Sequence, residues 1–97
     1  MFVSGVQILG DDLPLTVGSI TTLSCVSDSD ATMIEWFDGS NTRVNMTTNG
    51  RRLNNVLDPV SDHLHETTFT CRVTRTTGVV EQSITLTVTG SYDMNEL

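Results

Sequence analysis

Leu23-Ser24-Cys25, Ile34-Glu35-Trp36 and Phe69-Thr70-Cys71 are the three short stretches on which the fold turns. Each reads as an alternating strand, in which every second residue points to the same side. Leu23 and Cys25 then share one face, Ile34 and Trp36 a second, and Phe69, Cys71 and Val73 a third. Cys25 precedes Trp36 by 11 residues, and Trp36 precedes Cys71 by 35. All three faces are apolar, so they belong to one core.

Working outward, more short alternating segments appear, separated by turn signals. Val3 to Ile8 reads as a first strand, broken by Gly10-Asp11-Asp12. Leu13 to Val17 resumes as an edge strand, where Pro14 is tolerated. Thr21 to Val26 and Met33 to Phe37 are expected as separate strands around a polar loop at Asp28-Ser29-Asp30. Asp38-Gly39 marks a turn. Ser40 to Arg52 is too polar and weakly patterned to assign. Leu53 to Leu57 is a strand ended by Asp58-Pro59, and Ser61 to Thr68 is a corner leading into Phe69–Val73. After a turn at Thr76-Thr77-Gly78, Ser83 to Val88 closes the chain with Ile84, Leu86 and Val88 inward. Seven to eight short strands at this spacing predict an all-β antiparallel sandwich.

Together with Gly18 and Leu86-Thr87-Val88, the three opening stretches resemble the framework of the immunoglobulin superfamily over residues 3 to 89. The resemblance implies an immunoglobulin-like sandwich with one inter-sheet disulfide, Cys25–Cys71, packed against Trp36, with Leu23, Ile34, Phe69 and Leu86 in the core. Closing that loop is worth about 4 kcal/mol in the chain-entropy account. Two departures stand out. The family's Tyr two residues before the second Cys is Phe69 here, so the corner must be held without its hydroxyl. The last strand lacks the Phe-Gly-x-Gly bulge of antigen-receptor variable domains, and the chain is more similar to I-set or C2-set domains. Such domains occur in receptor tyrosine kinase ectodomains and adhesion proteins.

The 97 residues fit one domain, with residues 1–2 read as an added start and residues 90–97 as a linker or tail. Twelve acidic residues against five arginines and no lysine give a net charge of −7. That balance argues against nucleic acid and against insertion into or binding of an anionic membrane. No run of about 18 apolar residues is present, and residues 1–10 lack the pattern of a signal peptide.

Metal and catalytic chemistry find little support. Cys25, Cys71, His63 and His65 are formally enough for zinc, but structural zinc sites use close ligand pairs. Asp11, Asp12, Asp28 and Asp30 lack the loop motif that a calcium cage needs and read as solvated turns. His63, His65 and Glu66 form a polar cluster with no nucleophile beside it, so no enzyme and no cofactor is expected.

Binding is the remaining class. If Trp36 and Cys71 point inward, then Glu35, Phe37, Thr70 and Arg72 point outward. Glu35 and Arg72 are expected to pair across strands, with Phe37 as an exposed aromatic beside them and Val79 at the head of the last strand. An alternative covers Phe37 with Val44 or with the segment 41–49. The composition suits a surface for a protein ligand or a homodimer partner. Asn45-Met46-Thr47 is an N-glycosylation acceptor. The expectation is therefore an extracellular recognition module of a cell-surface receptor or adhesion molecule. A spacer in a tandem array and a secreted immune-type binder are the alternatives.

Overall fold

A computed structural model describes residues 5–90. Residues 1–4 and 91–97, including the expected start at 1–2, the first residues of the expected strand at Val3 and most of the expected tail, lie outside the described residues. The described residues form seven strands: β1 (Val6–Leu9), β2 (Leu15–Thr16), β3 (Thr21–Phe37), β4 (Arg43–Leu57), β5 (Thr68–Arg75), β6 (Gly78–Thr85) and β7 (Val88–Thr89). A 3-10 turn, Asp62–Leu64, precedes β5. All pairings are antiparallel except β2 with β7.

Two of these strands are far longer than the sequence pattern suggests, and the reason is a pair of bends. Fully extended, Cys25 and Trp36 would stand about 36 Å apart along β3. Yet Cys25 is disulfide-bonded to Cys71 with a Cα–Cα distance of 6.3 Å, and Trp36 pairs directly with that same Cys71. β3 therefore doubles over between them. β4 does the same: Asn45 and Asn54 would lie about 30 Å apart on a straight strand, but the Asn45 side-chain amide donates to the Asn54 carbonyl at 2.8 Å.

The bends correct the expected loop at Asp28–Asp30, which is extended backbone within β3. Pairing with β4 jumps from Val26↔Arg52 to Ala31↔Gly50, so Ser27 to Asp30 face Arg51 alone. A surplus of this kind bends a strand and raises its twist. On the partner strand, two residues before Arg51, Asn49 takes the left-handed conformation (φ 59°), which Asn tolerates better than most residues. Arg51 holds Asp30 at 2.8 Å, and Arg75 donates to Ser27 Oγ at 2.8 Å and to the Gly5 carbonyl at 3.3 Å. Gly5 (φ 77°) is required here, because a Cβ would sit 2.3 Å from the Asp28 carboxylate.

The doubled strands build two layers. One holds β1, Thr21–Val26 of β3 and the segment 52–57 of β4. The other holds 43–50 of β4, Ala31–Phe37 of β3, then β5 and β6. The result is an all-β, antiparallel sandwich with one disulfide. Its core contains Val6, Leu23, Cys25, Ile34, Trp36, Leu53, Leu57, Val60, Phe69, Cys71, Val73 and Leu86, each 9% exposed or less. Trp36 is fully buried, and its indole Nε1 donates to the Leu53 carbonyl at 2.9 Å, so the one polar atom of that side chain ties the layers together.

Smaller corrections follow from edge geometry. The expected strand Leu13–Val17 shrinks to Leu15–Thr16, which leaves β1's layer and pairs in parallel with β7. The expected last strand splits into β6 and β7, because Leu86 and Thr87 turn away from β5 to meet that ribbon. Leu86 N–H donates to the Thr67 carbonyl, and its own carbonyl accepts from Glu66 N–H. Ile84 packs on the core only in part.

Candidate interaction face

The outward side of the second layer is built from register. Across its four strands run the rows Met46–Glu35–Arg72–Glu81 and Thr48–Met33–Thr74–Val79. A third row joins Arg43, Phe37, Thr70 and Ser83. Arg43 enters it through a bulge. Pairing passes from Trp36↔Asn45 to Phe37↔Arg43, which leaves Val44 as the extra residue.

Arg72 lies at the centre of this face. Its Nε donates to Glu81 at 2.8 Å, a guanidinium nitrogen lies 3.9 Å from Glu35, and its Cζ stands 4.6 Å above the Phe37 ring. Arg43 reaches Glu35 from the other side at 3.2 Å. The charges alternate along the row, so each carboxylate meets a guanidinium and Phe37 offers its negative ring face to Arg72. Thr70 and Ser83 hydroxyls meet at 2.9 Å, and Thr68 and Thr85 at 2.8 Å, extending the order to the far end.

Two expectations change here. Glu35 and Arg72 do face each other, but Glu35 is only 6% exposed, because two arginines close over it. Phe37 is half-buried beneath Arg72, not open, and what covers it is that guanidinium, whereas Val44 is itself exposed. The apolar surface that remains comes from Val79 (58% exposed), Val44 (45%) and Met46 (39%). Arg43, Met46 and Glu81 were not singled out from the sequence. Glu81 was reachable, since a two-residue turn at Thr76-Thr77 sets Arg72 opposite it; Arg43 depends on a bulge that no pattern announces.

Asn45 is exposed, but it sits in a strand and not in a loop. Its amide is engaged at both ends, with Oδ1 accepting from Met46 N–H at 2.9 Å and Nδ2 donating to the Asn54 carbonyl. Both cysteines are disulfide-bonded, and His65 Nδ1 accepts from Val88 N–H at 3.1 Å. No group of three or more His, Cys, Asp or Glu residues poised for a metal occurs among the described residues. Nor is any helix there long and apolar enough to cross a membrane. No protein-family model matches the chain, and no curated protein matches it.

Proposed function

We propose that the chain is an immunoglobulin-type recognition domain of the I-set or C2-set kind, from an extracellular or cell-surface protein, that binds a protein partner through the outer face of its second layer. The disulfide between layers, closed against a buried Trp36 in register with the second Cys, supports the family reading. A disulfide of this kind persists in oxidising compartments, which supports the extracellular setting.

The observation that carries the binding role is the face itself. Val79, Val44 and Met46 are exposed around a charge cluster that is already ordered within the chain. Side chains fixed before binding lose little entropy when a partner arrives. The same pairing favours one rival, a spacer in a tandem array, because neither arginine of this face needs an external carboxylate.

The oxidised domain, immobilised and probed with a panel of purified ectodomains, separates the two. A partner whose affinity falls at least about tenfold with Val79→Asp or Met46→Asp supports recognition through this face, the scale expected of a truncated hot spot. A partner indifferent to both substitutions, or no partner at all, supports the spacer.

A further inference from the structure

The first layer has its own outward face, and its charges behave differently. Leu9 on β1 stands beside Ser24, which pairs with Asn54; Thr22 pairs with Val56, and Ile20 extends the same side. Leu9, Ile20 and Val56 are 40%, 63% and 57% exposed. An open groove runs here, lined by Leu9, Asp11, Ile20, Thr22, Ser24 and Arg52.

Among the described residues, Arg52 is held by neutral groups only. Its Nε donates to Asn54 Oδ1 at 3.2 Å and a terminal nitrogen donates to Ser24 Oγ at 3.2 Å, while Ser24 donates to Asn54 at 2.7 Å. Asp11 is held the same way, accepting from the Thr21 hydroxyl at 2.5 Å. Neither charge has an oppositely charged partner in contact among the described residues, although four of the five arginines do. A guanidinium offers five donors in a fixed fork, and Arg52 uses its Nε and one terminal nitrogen within the chain.

The groove thus carries a fixed, unneutralised cation and a fixed, unneutralised anion, with exposed aliphatic side chains around them. A patch holding both signs is complementary to itself under a two-fold axis, where each residue meets its opposite on the other copy. We infer that this face is a self-association surface. A second copy of the chain docks across it, Arg52 of each copy meets Asp11 of the other, and Leu9, Ile20 and Val56 are buried between them. The rest of the surface opposes such an approach, since the chain carries a net charge of −7. The surface is separate from the one assigned to a protein partner above.

Sedimentation velocity of the oxidised chain over a wide concentration range is the test. The wild type should move from the mass of one chain towards that of two as concentration rises. Arg52→Asp and Asp11→Arg, each alone, should weaken the dimer at least about tenfold by placing like charges together, and the double exchange should restore it. Val79→Asp should leave it unchanged, which separates this surface from the partner face. Both charged residues are exposed, and circular dichroism of each variant confirms that it folds. A wild type that stays monomeric throughout, a dimer that tolerates both single reversals, a swap that fails to rescue, or a dimer lost with Val79→Asp would each overturn the proposal.

Discussion

His65 occupies the corner that leads into β5, four residues before Phe69. Phe69 is 4% exposed and fills its place in the core with a ring that cannot bond to backbone. The corner is closed instead from the other side, by His65 Nδ1 accepting the N–H of Val88, itself a buried residue. An imidazole accepts at Nδ1 only when that nitrogen carries no hydrogen, so the bonded tautomer has its proton on Nε2. Ser61 assists by accepting from His63 N–H at 3.1 Å, and the Thr67 hydroxyl donates to the His63 carbonyl at 3.3 Å. Replacing His65 with Ala leaves the Val88 N–H without its acceptor. The expected loss is about 1 kcal/mol, read as a lower urea midpoint at unchanged slope. His65→Asn, which keeps a side-chain acceptor, should recover part of it.

At the scale of elements, β4 is the decisive strand and also the one least visible in the sequence. Its N-terminal part, Arg43-Val44-Asn45-Met46-Thr47-Thr48-Asn49-Gly50, has no consistent apolar alternation, because it forms an edge whose two sides are both partly wet. Leu53 to Leu57 was legible, since Leu53 and Leu57 are buried. The short strands around Cys25, Trp36 and Cys71 were legible for the same reason: burial on one face imposes a period of two. What could not be read is that β3 and β4 run on through their bends, because Ser27–Asp30 and Asn49–Gly50 look like loops to any rule based on polarity. The candidate face inherits the same gap. Glu35, Phe37 and Arg72 follow from parity, whereas Arg43 and the cover over Phe37 follow from a bulge and a ring contact. Asn45 fastens β4 to itself across its bend, and this gives the glycosylation triplet a second meaning. Asn45→Ala removes both amide bonds and should cost about 1 kcal/mol, while Thr47→Val should change stability by no more than about 0.5 kcal/mol. Made in a secreting host, Thr47→Val should lose any glycan mass that the wild type carries. Equal destabilisation by the two substitutions would argue against the amide's role.

For the molecule as a whole, the disulfide is the one covalent cross-link between layers besides the backbone that runs through β3 and β4. It encloses a loop of 46 residues, nearly half the chain. The Cys25→Ala/Cys71→Val double variant should be about 4 kcal/mol less stable than the oxidised wild type on loop-closure grounds, measured by urea unfolding. A loss under about 1 kcal/mol would mean that the unfolded chain is already constrained there. The two outer faces differ in charge: among the described residues, one has neutralised its arginines internally, and the other holds a cation and an anion apart. The parallel ribbon of β2 and β7 has a different consequence, a mechanical one. Leu15 pairs with Val88 and Thr16 with Thr89, with both strands running the same way. Tension entering before β2 and leaving after β7 therefore loads those bonds in shear, where they must break together, instead of peeling them one at a time. Should the ribbon give way, the stretch from Cys25 to Cys71 cannot lengthen while the sulfurs stay joined. A pulled domain would yield only its outer segments, and a reductant would set how far it extends.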